Sequence, residues 1–274
     1  MRENRKGDSA VTDPPPRIPD FRLLFPCGKG GTGEVWAARD LDGIRRAVRL
    51  VPRNGTGSDL ADGERDARGI AFFRRRAPIH ENVAEIFHHG RTGSFDYYVS
   101  ALADNAGNGK EEYIPDTLAE RLKRRGKWSP EEILSVMLPL VSAVEYLHFR
   151  GIAHSDLKPE NILFVGGVLK ITDHGLADEC NTVFLPRCGT PEYVPDYPCC
   201  GRKRDLYAAG KILYCLYSGN PASDFPEIGE EPDMESIRPF NEIALKCCSR
   251  APSGYTDAHE LKKALLALRK KSKE

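Results

Sequence analysis

The chain has 274 residues, 40% hydrophobic and 29% charged, with 40 Lys and Arg balancing 40 Asp and Glu. This length and apolar content predict a packed core in one large domain or two closely joined lobes, and the zero net charge argues against a general nucleic-acid-binding surface. No run approaches 18 apolar residues and the opening MRENRKGDSAVTDPPPR has no apolar stretch, so neither a membrane span nor a secretory leader is expected. The 8 cysteines include no CxxC pair, which predicts reduced thiols and a cytoplasmic location.

In chain order, residues 1–19 are polar, proline-containing and aperiodic, and read as a disordered tail. From there to residue 103 the pattern is short strand-like runs rich in Val, Phe and Tyr: FRLLF, EVWAA, RRAVRLV, VAEIF and DYYVS. One helical stretch, about residues 59–75, interrupts them. The polar, glycine-containing DNAGNGKEEYIP opens residues 104–274 as a linker. Two capping boxes follow, Thr117 with Glu120 and Ser129 with Glu132, the second with Pro130 at the first helical position. Behind it Ile133, Leu134, Met137, Leu140, Val141, Val144 and Leu147 form one apolar face, with Pro139 expected to kink the helix. The remainder is helix-rich to ELKKALLALRK. A small strand-rich lobe followed by a larger helical one is the predicted shape.

The run Gly28-Lys29-Gly30-Gly31-Thr32-Gly33-Glu34-Val35 lies between two strand-like runs. Its glycines would let backbone N–H groups approach phosphates closely, or simply make a tight hairpin. Further on come His154-Ser155-Asp156-Leu157-Lys158-Pro159-Glu160-Asn161, then Asp173-His174-Gly175, then Gly189-Thr190-Pro191-Glu192-Tyr193. With the glycine run before them, in this order, the chain resembles a eukaryotic-type protein serine/threonine kinase across residues 20–270. The fold this implies is α+β and bilobal, with a small antiparallel-sheet lobe over residues 20–103 and a larger helical lobe over 104–274.

The resemblance implies ATP and Mg2+ as cofactors and a protein with Ser or Thr hydroxyls as substrate, with no nucleic acid and no membrane as partner, and it leaves room for a regulatory protein partner. It implies that Asp156 orients the substrate hydroxyl, that Asn161 and Asp173 hold the metal, that Lys158 meets the transferred phosphoryl group and that Thr190 steadies Asp156. Gly28, Gly30 and Gly33 would cover the phosphates. Val35, Ala47 and Leu163 would sandwich the adenine, or serve as plain core. Ser100 falls at the gatekeeper position, ahead of hinge residues Ala101 to Ala103. Asp205 matches the buried acid beneath the catalytic loop.

Several positions depart from the family pattern. The strand lysine is replaced by Arg49, whose guanidinium is broader and planar. The helix glutamate falls at Asp66, read either as a swapped partner for Arg49 or as a solvated helix residue. Lys29 is the only lysine between Phe21 and Ser100 and is a candidate substitute for the missing ammonium. Ser155 stands where an arginine usually grips an activation-loop phosphate, and Thr182 is the only hydroxyl side chain between Asp173 and Gly189; both argue against activation by loop phosphorylation. His174 replaces an aromatic and would pack beside His154, leaving open a charge on one imidazole at mildly acid pH. Ala-Pro-Glu is absent, with Asp196 and Arg250 as a substitute pair. The basic runs 74–76, 121–127 and 202–204 read as solvated faces or as marks of acidic partners. An active kinase with weakened phosphate clamping and a pseudokinase acting as a nucleotide-binding or scaffolding domain are the two functional readings.

Overall fold

A computed structural model describes residues 15–30, 33–53, 58–76, 79–107, 113–185, 189–228, 234–251 and 253–271. Most of the predicted tail, residues 1–14, lies outside the described residues. Its last part does not behave as tail: Ile18 bridges Phe21 and is buried with Leu23, Val48, Leu50 and Tyr97. An apolar side chain there finds a sheet face to cover, so packing begins before residue 20.

The small lobe is a five-stranded antiparallel sheet, order β1-β2-β3-β5-β4, made of β1 (Arg22–Gly30), β2 (Gly33–Arg39), β3 (Arg45–Pro52), β4 (Ile86–Arg91) and β5 (Phe95–Ala101). One helix, α1 (Ser58–Arg76), packs against it. The predicted strand VAEIF is displaced, since β4 starts only at Ile86. Val83 and Ala84 are buried because they pair with Ile171 of the large lobe, not because they belong to the sheet. The true strand continues through His88, His89 and Gly90, a polar edge that carries no alternation signal.

The large lobe begins with α2 (Leu118–Arg125) and α3 (Pro130–Phe149). Thr117 accepts a hydrogen bond from the Glu120 N–H, and the Ser129–Glu132 capping box is complete. Every residue of the predicted apolar face of α3 is buried, as are Val136 and Ala143 on other sides, and the helix runs on through Pro139. By length and composition α3 is apolar enough to cross a membrane; its burial against later helices is that of a core helix. Short ladders follow: β6 (Ile152–Ala153), β7 (Ile162–Val165) and β8 (Val168–Ile171), then β9 (Asp178–Glu179), β10 (Val183–Phe184) and β11 (Cys199–Cys200). β6 pairs with β9, β7 with β8, and β10 with β11. The almost wholly buried α4 (Gly201–Ser218) lies beneath, and α5 (Met234–Cys248) and α6 (Ala258–Lys271) close the lobe. The loop 154–161, held between β6 and β7, is thereby fixed over the N-terminal turns of α4.

Candidate active site

Loop 154–161 is built on α4. The Asp205 carboxylate accepts hydrogen bonds from the His148 imidazole (2.9 Å), the His154 N–H (2.8 Å) and the Ser155 N–H (2.7 Å). Burial alone would raise its pKa, yet these donors hold the carboxyl below its usual range, so it stays ionised. His154 places Nε2 2.8 Å from the Thr172 carbonyl and Nδ1 3.3 Å from the Asp156 backbone nitrogen, so both ring nitrogens are engaged. The result is a rigid presentation of Asp156.

Around that carboxylate three predicted residues converge. Thr190 donates to Asp156 Oδ1 at 3.2 Å, and Lys158 lies 3.3 Å from Oδ2 while donating to the Thr190 hydroxyl at 2.8 Å. Asn161 gives its amide hydrogens to the Asp156 carbonyl (2.8 Å) and to Oδ2 (3.1 Å). That use of Nδ2 leaves the Asn161 amide oxygen as its remaining donor atom for a cation.

A second cluster surrounds Arg49. Its guanidinium reaches Asp66 at 3.3 Å and Asp173 through a second nitrogen. The swapped-partner reading of Asp66 therefore holds, and the solvated one does not: Asp66 is buried. Tyr98, across the β3–β5 register from Arg49, donates to Asp66 Oδ2 at 3.1 Å and lies beneath the guanidinium, 5.7 Å from it. Burial pushes the Tyr98 phenol well above its ordinary range, so it remains a donor. Burial would likewise raise Asp173, but the Arg49 charge and hydrogen bond outweigh it and hold the carboxyl low.

Asp66, Gly69, Ile70 and Phe73 form the inward stripe of α1, at the spacing of one helix face. This stripe lies directly on Asp173-His174-Gly175. A Cβ on Gly69 would sit 2.0 Å from the Gly175 carbonyl oxygen, and one on Gly175 would sit 2.0 Å from Asp66 Oδ1. Glycine at both positions lets the helix approach closely enough for the short Asp66 to meet Arg49. His174 stacks on Phe73 at 3.6 Å between ring centroids and meets His154 edge-on at 5.3 Å. Burial, reinforced by His154, pushes the His174 pKa down to about 3. His174 therefore stays neutral at mildly acid pH.

The remaining candidates stand apart from these clusters. Gly28 pairs with Val35, and Gly30 with Gly33, across the β1–β2 hairpin. Packing by itself requires glycine at position 33, since a Cβ there would lie 2.1 Å from the Leu50 carbonyl oxygen. Lys29 is exposed and lies 3.8 Å from Glu34, and among the described residues it forms no ion pair with Asp66 or Asp173. Its proposed service as a stand-in ammonium gains no support from this position. Ala47 is buried opposite Ser100, while Val35 and Leu163 are partly exposed. Ala101 ends β5, and the carbonyl of Ala103 accepts the Tyr113 hydroxyl at 2.8 Å. A cavity of about 720 Å3 opens elsewhere, between α2, α3 and the β7–β8 hairpin; Arg121, Arg124 and Arg125 of the basic run line it, and none of the candidate catalytic or nucleotide-binding residues does.

Asp196 and Arg250 do form an ion pair, with Arg250 over the Tyr197 ring at 4.5 Å. Both side chains are more than half exposed, so solvent screens the pair and it does not reproduce a buried one. The run 202–204 is corrected too, because Arg204 is buried. Reading the sequence missed Tyr98, Tyr113 and Arg204. Tyr98 carried one signal, strand alternation placing it on the same face as Ser100.

The residues present fit a magnesium–nucleotide ligand by donor chemistry. Asp173 and Asn161 offer hard oxygens, and Mg2+ commonly takes one or two such protein ligands beside phosphate oxygens and water. The absence of any cluster of three or more His, Cys, Asp or Glu among the described residues is compatible with that sparse ligation. Arg49 already engages Asp173, so it shares one of the two ligands.

Comparison with known proteins gives the same family. A profile of the protein kinase domain matches residues 22–269. A serine/threonine-protein kinase of Corynebacterium efficiens, drp72, is 31% identical over 82% of this chain and 43% of its own length. CBL-interacting serine/threonine-protein kinase 9 of Arabidopsis thaliana is 34% identical over 77% of this chain and 47% of its own. The probable serine/threonine-protein kinase PknB of Bifidobacterium longum is 31% identical over 82% of this chain and 33% of its own. The chain thus spans less than half the length of these relatives.

Proposed function

Since the chain belongs to the protein kinase family, we propose that it transfers the γ-phosphate of ATP to serine or threonine hydroxyls of a protein, with an atypical clamp on the nucleotide. The observation that carries this reading is the convergence of Thr190, Lys158 and Asn161 on the Asp156 carboxylate. Asp156 would accept or orient the substrate hydroxyl proton, and Lys158 would meet the moving phosphoryl group, with Thr190 tying the two together. Asn161 and Asp173 would hold Mg2+, which when bound neutralises phosphate charge. The atypical element is Arg49: it keeps the permanent positive charge of the clamp but divides it between Asp66 and Asp173.

That same division favours a second reading, a pseudokinase. A guanidinium held by two carboxylates has less to offer a phosphate, and its bond to Asp173 competes with the metal. Thermal unfolding with and without Mg-ATP, run beside an autophosphorylation assay, separates the two. Stabilisation with phosphate incorporation supports the active kinase; stabilisation without incorporation supports a nucleotide-binding pseudokinase; neither supports a scaffold.

A further inference from the structure

Ser155 is a left-handed residue, φ 67°, immediately before Asp156. Such a backbone is costly for a side chain other than glycine and needs its neighbours to enforce it. Two consecutive residues of α4 do so from opposite sides: Asp205 takes the Ser155 N–H, and Arg204 donates to the Ser155 carbonyl at 3.1 Å. The Arg204 guanidinium does not stop there. It lies 4.7 Å from the Phe184 ring centroid and donates a long hydrogen bond to the Leu185 carbonyl at 3.5 Å. On the far side of the same segment Gly189 packs so closely that a Cβ would lie 2.6 Å from the Arg204 Nη2. That Cβ would also lie 3.5 Å from Asp156 Oδ1. One buried side chain thus touches the catalytic loop and both flanks of the segment between Asp173 and Thr190.

We infer that Arg204 is a positioning residue that ties this segment to the catalytic loop from α4, a task for which Ser155 has no suitable side chain. The tie runs through carbonyls, a ring and a glycine contact, so it requires no phosphate on the segment. It rests on the kinase reading for its consequence in turnover, but not for its geometry. Lysine would keep the charge and lose the planar fork that meets a carbonyl and a ring together. The backbone of β10 would then be held by its short ladder with β11 alone.

The test compares the full chain with Arg204→Lys and Phe184→Leu. Hydrogen exchange read by mass spectrometry, without nucleotide, is paired with steady-state transfer to a random Ser/Thr peptide library. Phe184→Leu removes the ring while leaving α4 untouched, which covers the case in which Arg204→Lys fails to fold. The expected result is faster exchange confined to 183–185 and 189–193, with kcat falling about tenfold or more through misplacement of Asp156. KM for ATP should stay nearly constant. Unchanged exchange in those segments in both variants overturns the inference. So does faster exchange spread through α4, which would make Arg204 a packing residue only. If the natural chain transfers no phosphate, the kinase reading falls while the exchange arm still decides whether Arg204 is the tie.

Discussion

His174→Phe tests the chemistry of the buried imidazole. In the fold its Nε2 donates to the Ala84 carbonyl at 3.1 Å, its Nδ1 has no partner among the described residues, and Phe73 covers one face. The charged and titratable neighbours are His154, edge-on, and Asp173, whose carboxylate is turned to Arg49. The pKa falls from 6.5 to about 3 on folding. The unfolded chain therefore binds the proton more readily, so stability is fully present above pH 6.5 and drains away as the pH falls toward 3. Between pH 7.5 and pH 5 the loss is about 2 kcal/mol, set almost wholly by the unfolded value because the folded imidazole is still neutral at pH 5. In a domain of this size that is a Tm decrease of about 4–8 °C beyond the rest of the acid response. Urea unfolding of the nucleotide-free protein at pH 7.5, 6 and 5 should show the natural chain losing that much more than His174→Phe. His174→Leu serves as the control should the larger ring overpack. Parallel losses in all three proteins would refute the buried neutral imidazole.

Asp66→Glu should destabilise the protein by about 1–3 kcal/mol, because the added methylene has no room against Gly175; thermal or urea unfolding reads this. Combining it with Arg49→Lys restores both family residues, and the double-mutant cycle should show coupling of about 0.5–3 kcal/mol while the protein remains less stable than the natural chain. Strict additivity would mean that Asp66 is not the partner. Asp173→Asn should abolish any Mg2+-dependent part of the ATP-induced thermal shift, since it removes the formal charge from the candidate metal ligands. Thr182→Ala should leave phosphate transfer within about twofold, because half-buried Thr182 is held through its backbone, whose hydrogen bonds with Glu179 and Gly201 alanine keeps; a large loss in the same assay would show that this hydroxyl regulates the segment.

The candidate site residues were legible because they lie in local runs. His154 to Asn161 carries a loop, its candidate base and an amide in eight consecutive positions, and strand and helix periods placed the two lobes around it. The Asp66–Gly69–Ile70–Phe73 stripe could be read from its spacing, but spacing gives a face and not a partner. That Gly69 and Gly175 close up to seat a short carboxylate depends on segments a hundred residues apart. Val83 and Ala84 misled for the same reason: their burial is real, but it serves the other lobe. Arg204 was hidden differently. In a run of three basic residues at a helix start, solvent is the ordinary destination, and only the fold shows one of them turned inward.

The departures from the family pattern are better understood as linked groups than as separate losses. Replacing lysine by Arg49 lengthens one side of the ion pair, and Asp66 shortens the other. The shorter acid then needs α1 closer, which the Gly69–Gly175 contact permits, and a second donor, which Tyr98 supplies. Each change alone would leave a gap or a clash in a buried site, where a broken ion pair costs about 3–5 kcal/mol. Ser155 and Arg204 are related in the same way, a lost side chain on the loop answered by a gained one beneath it. Asp196 and Arg250 are not: their pair is exposed and rebuilds nothing buried. A sequence drifting without constraint would be expected to leave orphaned charges at such places. Here Arg49, Asp66 and Asp173 remain mutually paired, and Asp156 keeps Thr190, Lys158 and Asn161 around it. That retained order argues that this cleft still does something that depends on the position of its charges.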